Sequence, residues 1–309
     1  MKKVSLLISF MCCVGWLAAQ NVGSSPEYIQ ALTAQWQGER LPDGRPKVSD
    51  NLLERVKKLG IETLWGALRN KGYHNQFEGE WHIIHPDEAM TGRVVTAQYM
   101  PLRPDYDKYV KEQGKRESRA AQGGTNSWPI DLLQEGDVYV ADGYGKIVDG
   151  TLIGDNLGNS IYAKSKRGVV FYGSVRDEEG LSAIQGFNGW VKGADPSYIM
   201  QMMLTSINAP IRIGRAVVFP GDVVLAKKYG VLFIPAHLVE EIVLTAEMTE
   251  LRDEFGHLRL REGKYKPGQI DSAWSDEIKQ DFKNWLDRYP RPLPMSKQEL
   301  ENYFKQRNW

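Results

Sequence analysis

The sequence predicts a mixed α/β domain carrying a helical C-terminal extension. Three stretches carry that reading. Residues 154–180, GDNLGNSIYAKSKRGVVFYGSVRDEEG, run as a loop, a short helix with Leu157, Ile161 and Ala163, an apolar strand over 169–172 broken at Gly173, and a second loop with Arg176 beside Asp177. Such a unit brings its two loops to one edge of a sheet, where ligands of α/β proteins tend to bind. Residues 136–145 (GDVYVADGYG) and 221–230 (GDVVLAKKYG) repeat a Gly-Asp turn, an apolar strand and a Tyr-Gly exit. That echo points to two related strands of a sandwich or barrel rather than to a solenoid. Finally, Ile278, Phe282, Trp285 and Leu286 fall at helical spacing in the tail.

Before these landmarks, Ser49 or Asp50 caps a predicted helix through Leu52, Leu53, Val56 and Leu59. Gly60 interrupts it, and a second helix with Ile61, Leu64, Trp65 and Leu68 ends near Gly72. A loop rich in aromatics and charge follows, then a strand with Val94, Val95, Ala97 and Tyr99 that stops at Pro101 and Pro104. The charged run 105–122 reads as a solvated helix or insertion. Downstream, GFNGWVKGADP (186–196) reads as a Gly-rich loop, and the Met-rich segment 198–207 as core or interface packing. The strand over 223–225 pairs with 231–234 across Lys227, Lys228, Tyr229 and Gly230, and Pro235 opens a long helix. The last helices read as a cap on the domain or on a neighbouring subunit.

A chain of 309 residues fits one domain with extensions. Its 39 basic and 39 acidic residues cancel, so nothing in the charge points to nucleic acid or an acidic membrane. Lys2 and Lys3 precede an apolar run ending in Ala18 and Ala19, the three-part pattern of a secretory signal over 1–19. The run is short for a membrane span, which takes ~20 residues; an uncleaved anchor is the alternative. Cys12 and Cys13 lie inside it, so an exported mature chain has neither disulfide nor thiol chemistry. The expected divisions are therefore a signal (1–19), a lead-in (20–48), the main domain (49–246) and a helical extension (247–309), with a periplasmic or secreted destination.

Asp155, Asn156 and Leu157 open the central helix, and a helix start suits a carboxylate or phosphate. Arg176 offers a planar fork to an oxyanion, and Asp177 a hard oxygen to Mg²⁺ or Mn²⁺. An anion cradle, a guanidinium and a metal carboxylate together suit a 2-keto acid forming its enolate. The alternative is a surface turn with a local ion pair. No HExxH cluster, no G-x-S-x-G elbow and no P-loop is present, and His74, His82, His85, His237 and His257 lack ligand spacing.

The stretch GDNLGNSIYAKSKRGVVFYGSVRD, with the two Gly-Asp strands around it, resembles the RraA-like family. That family includes class II 4-hydroxy-4-methyl-2-oxoglutarate/4-carboxy-4-hydroxy-2-oxoadipate aldolases and regulators of ribonuclease E. The resemblance covers roughly 52–243 and leaves the C-terminal helices aside. The regulators typically lack the aspartate that stands here as Asp177. The resemblance implies a swivelling β/β/α domain assembled as a homotrimer or homohexamer with sites between subunits. It also implies that Asp177 binds the divalent metal and Arg176 stabilises a metal-bound pyruvate enolate. Asn156 and Leu157 amides would hold the substrate carboxylate, and Asp155 would orient metal-bound water.

Two positions depart from the pattern. Gly180 stands where the aldolases carry an acidic residue, so that Glu178 or Glu179 is the candidate replacement. Lys227 stands where the second Gly-Asp strand usually has an aspartate. For the acidic residue that a neighbouring subunit contributes, Glu78 and Glu80 are the candidates. The reading is a metal-dependent lyase, an aldolase or decarboxylase of a 2-keto acid. A hydratase or isomerase of a sugar-derived acid and a non-catalytic regulator are the rivals. Selectivity is expected from Phe77, Trp81 and the 186–196 loop.

Overall fold

The computed structural model describes residues 21–306, and the expected signal with Cys12 and Cys13 lies outside the described residues. The strands are β1 (Phe77–Glu78), β2 (His82–Ile83), β3 (Met90–Pro101), β4 (Asp137–Asp142), β5 (Val169–Val175), β6 (Gly189–Ala194), β7 (Met202–Ile207), β8 (Ile211–Ile213), β9 (Ala216–Val218), β10 (Val223–Lys227) and β11 (Gly230–Ile234). The helices are α1 (Pro26–Leu32), α2 (Asp50–Lys58), α3 (Ile61–Asn70), α4 (Pro104–Arg116), α5 (Trp128–Asp131), α6 (Asp155–Ser165), α7 (Glu178–Ser182), α8 (Val239–Arg261), α9 (Pro267–Ile270), α10 (Asp276–Leu286) and α11 (Lys297–Gln306).

The main sheet runs β1-β11-β10-β3-β4-β5-β6-β2, with β7 also on β3. Strands β3 to β6 are mutually parallel, and the outer pairings are antiparallel. Laid flat, seven strand spacings would separate β1 from β2 by about 34 Å. Only Gly79, Glu80 and Trp81 join those strands, and four residue steps reach at most ~14 Å. The sheet therefore coils until its two edges meet. Lys192 on β6 closes the seam: its ammonium donates to the Glu80 carbonyl at 2.7 Å and lies over the Trp81 and Tyr172 rings at 4.8 and 5.1 Å. The Trp190 indole, also on β6, donates to the Lys227 carbonyl across the interior at 3.0 Å.

Inside the coil lies one core, with Val94, Val138, Val140, Val170, Trp190 and Phe233 packed on the β8–β9 hairpin. The alternate residues of the same strands (Val95, Tyr139, Phe171, Val175) pack outward into a second core shared with α6 and β7. Helices α2, α3 and the first half of α8 cover β10 and β11. The period-two alternation of the parallel strands thus supplies two apolar faces at once.

The repeated Gly-Asp strands are β4 and β10, which flank β3 on its two sides. Each begins in the same way. Gly136 and Gly221 take positive φ of 85° and 86°, and the following aspartate folds back to accept an amide three residues upstream, Gln134 N to Asp137 and Phe219 N to Asp222, both at 2.9 Å. Ser49 is the cap of α2, and β10 pairs with β11 as expected, though Lys227 and Gly230 belong to the strands and the turn is only Lys228 and Tyr229. The charged run contains α4, whose Val110, Gln113 and Gly114 are buried while its other faces are solvated.

Two expectations needed correction. Gly173 does not end its strand, since β5 continues to Val175 and shifts register against β6 there. A Cβ on Gly173 would meet the Gly143 Cα at 3.4 Å, an ordinary contact, so the strand runs on through this position. The Gly-rich 186–196 segment is largely strand β6, with Trp190 fully buried. Gly186 does sit in a turn, at φ 85°, but Gly189 serves packing: a Cβ there would sit 2.9 Å from Ile84.

The C-terminal helices pack on the second half of their own α8, around Phe255, Trp274, Ile278 and Phe282. Arg55 on α2 ties them to the domain through Glu247 at 2.6 Å and Glu299 at 2.9 Å. No helix among the described residues is long and apolar enough to cross a membrane.

Candidate functional site

The loop before α6 runs alongside the end of β5, and this places the two predicted half-sites together. Leu152 N donates to Ser174 O, and Arg176 N donates to Ile153 O, both at 2.9 Å. The start of α6 and the Arg176–Asp177 pair therefore face one recess of about 220 Å³. Asp155, Asn156, Leu157, Arg176 and Asp177 all line it.

Glycines permit the closeness. A Cβ on Gly154, the residue that caps α6 without a side chain, would run into the Asp177 carboxylate. On Gly180 a Cβ would sit 2.7 Å from Asp155 Cβ. The departure noted at Gly180 thus has a steric cause: α7 is packed so tightly on Asp155 that no side chain fits. Asp177 itself adopts the left-handed conformation, φ 54°, at the sharp turn from β5 into α7.

The Arg176 Nε donates to Asp177 Oδ2 at 2.8 Å, and its guanidinium lies 4.8 Å over the Tyr198 ring. Asp177 foremost, and Tyr198 after it, raise the Arg176 pKa. Asp155 Oδ1 accepts its neighbour Asn156 N at 2.8 Å, so that amide is engaged within the loop. No described hydrogen bond takes the Leu157 amide.

Other candidates stand elsewhere. Glu178 is held by His82 at 2.7 Å, and Glu179 is exposed to solvent; neither lines the recess. Lys227 reaches Leu59 O at the end of α2 at 2.5 Å, a structural task, and burial lowers its pKa. Glu78 accepts Arg215 N at 2.9 Å, and Glu80 holds Lys192 at the seam. Trp81 packs on Tyr172 and Phe77 pairs with β11, so neither lines the recess of this chain. Tyr198 and Asn126 do line it, and the sequence carried no signal for either. A larger cavity of about 460 Å³ lies between the lead-in and β9, away from all these residues. Its buried Asp222 is engaged by backbone amides, so volume alone does not mark the site.

The family model RraA-like (Aldolase/RraA) matches residues 46–233, well over half the chain. The chain belongs to the RraA-like family. Among solved structures, Streptomyces coelicolor RraAS2, described as an unusual member of the RNase ES inhibitor RraA protein family, is similar at 24% identity and a TM-score of 0.59. The match covers 69% of this chain and 100% of that one. An uncharacterised protein from Pseudomonas syringae pv. tomato str. DC3000 is similar at 20% identity and a TM-score of 0.57, over 74% of this chain and 100% of that one. These likenesses show the RraA-like fold. The RraA-like match ends at 233, before α8, so the C-terminal helices are an addition to the family domain.

Proposed function

We propose that this chain is an exported lyase that cleaves or decarboxylates a 2-keto acid through a pyruvate enolate, using Mg²⁺ or Mn²⁺. One observation carries the proposal: a single recess joins the start of α6 with Asp155, Arg176 and Asp177. Family resemblance extends the proposal to a homotrimer or homohexamer.

The residues fit such an ion. No group of three His, Cys, Asp or Glu side chains suited to a metal occurs among the described residues, but two carboxylates face the recess. Mg²⁺ is commonly held by one or two carboxylates, with water and substrate oxygens completing six positions. Asp177 would hold the metal, and Asp155 would orient its water. When bound, the ion supplies Lewis-acid polarisation of the keto group.

The remaining work falls to the chain's own groups. Arg176 has committed Nε to Asp177, which leaves its terminal N–H groups for a keto oxygen as negative charge builds there. A donor fixed in this way needs no reorganisation during the reaction. The positive end of α6, with the Leu157 amide, favours the substrate carboxylate.

The test is pyruvate release from 4-hydroxy-2-keto acids and from oxaloacetate with Mg²⁺ or Mn²⁺ added. Asp177→Ala is expected to reduce the rate on the order of 10²–10³-fold, the scale of losing one transition-state stabiliser. Full activity in that variant would remove Asp177 from the proposal. A hydratase or isomerase would leave the carbon skeleton whole, and a regulator would release no pyruvate.

A further inference from the structure

We propose that the large cavity beside the lead-in binds an organic ammonium ion, a primary amine carried on an aromatic or alkyl group. This site is separate from the recess and independent of the lyase reading. Three segments line it: residues 31–36 at and just after the end of α1, Tyr73 and Gln76 after α3, and the stretches around β10 and β11 that carry Phe219, Asp222 and His237. At about 460 Å³ the cavity has the size of a small-molecule site. Residues 31–36 precede the family match, which begins at 46, so this wall belongs to the chain's own lead-in.

That wall is fixed in place. Arg40 donates through Nη2 to the carbonyls of Thr33 at 2.9 Å and Trp36 at 3.2 Å, and through Nη1 to Gly44 O at 2.9 Å. Ile29 is fully buried on one side of the wall. On the other, the fully buried Arg45 pairs with Asp137 of β4 at 2.8 Å and ties the lead-in to the sheet.

The chemistry inside is that of a cation site. Asp222 is 5% exposed in the single chain, so its surroundings are set by this chain's own atoms rather than by a neighbouring copy. Its Oδ2 accepts Phe219 N at 2.9 Å, yet two amides do not replace the water it has lost, and burial pushes the carboxyl up to about 7. A bound ammonium supplies the opposite charge at short range, and the carboxyl's proton leaves to solvent. Trp36, Tyr73 and Phe219 share the lining, and aromatic faces attract a cation most where water is excluded. Gln76 Nε2 donates to Phe233 O at 3.1 Å, which leaves its Oε1 as a second acceptor for an ammonium N–H. Burial lowers the His237 pKa, so this imidazole adds no competing positive charge at neutral pH.

The experiment is calorimetry on the full chain at neutral pH, comparing phenethylamine with phenethyl alcohol, a neutral compound of the same shape. The amine is expected to bind at least about tenfold more tightly, the scale of a desolvated cation over aromatic rings. Asp222→Asn keeps the shape of the side chain and should erase that preference. Trp36→Ala should weaken the amine about tenfold, and Trp36→Phe should retain most of its affinity. Equal binding of the two compounds by the wild type would reduce the site to an apolar cavity and overturn the proposal. Failure of the amine to bind would overturn it as well, including the case in which a neighbouring copy fills the cavity. A preference that survives Asp222→Asn at an unchanged melting temperature would place the amine elsewhere on the molecule.

Discussion

At Gly154 the function and the backbone meet in one atom that is absent. Its φ of −117° is open to any residue, so an alanine there meets no backbone strain. What it meets is the Asp177 carboxylate, with Arg176 Nε 3.2 Å away. Gly154→Ala is therefore expected to keep the melting temperature within a few degrees while lowering pyruvate release roughly 10–100-fold, by displacing a positioned group. Loss of folding and activity together would show that Gly154 matters to the fold instead. Arg176 and Asp177 were legible as an adjacent pair of useful chemistry. The reason for Gly180 was not, because its neighbour Asp155 comes from the preceding helix and the contact exists only once α6 and α7 pack.

On the scale of elements, the Gly-Asp turn is a device used twice. Sequence showed its likeness in 136–145 and 221–230, and the backbone shows why: a positive-φ glycine, then an aspartate closing the loop before a strand. At β10 that aspartate is fully buried, and burial pushes the Asp222 carboxyl up to about 7 from 3.8, against the amides of Phe219 and Ala236. Between about pH 4 and 7 the folded chain then holds a proton that the unfolded chain has lost. Stability from this group falls as pH rises through that window and levels off above it, over a range of up to about 4 kcal/mol. Urea unfolding at pH 4 to 8 should show a downward slope in the wild type that is absent in Asp222→Asn. Parallel curves for the two proteins would refute the assignment. The misread elements have a common cause. The glycines of β6 admit Ile84 and Ile147 from elsewhere in the chain, and local pattern reads the same residues as turns.

For the whole molecule, α8 is the hinge between the family domain and its addition. The first half of its 23 residues packs with α2 and α3, and the second half nucleates a separate cluster with α10 and α11. Phe282 sits at the centre of that cluster, edge-on to Phe255 and Trp274 and stacked on Trp285. Phe282→Ala should cost about 3–5 kcal/mol, confined to the extension. Amide exchange would then speed up across α10 while β4 and β5 stay protected, and pyruvate release would persist. Uniform loss of protection would mean the extension and the sheet unfold as one unit.

The sequence by itself determined the class of fold, the strand and helix that frame the recess, and the adjacent Arg176 and Asp177 on which the proposed chemistry rests. Those are local properties: periodicity, turn residues, and side chains fixed by their neighbours in the chain. Tertiary structure decided the rest. Coiling of the sheet brings β1 and β2 to a common seam. The stitching of Ile153 to Arg176 joins two half-sites separated by a helix and a strand, and a pinned loop adds Tyr198 to them. Contacts between residues distant in sequence depend on how whole surfaces fit, and single-chain pattern does not encode that fit position by position.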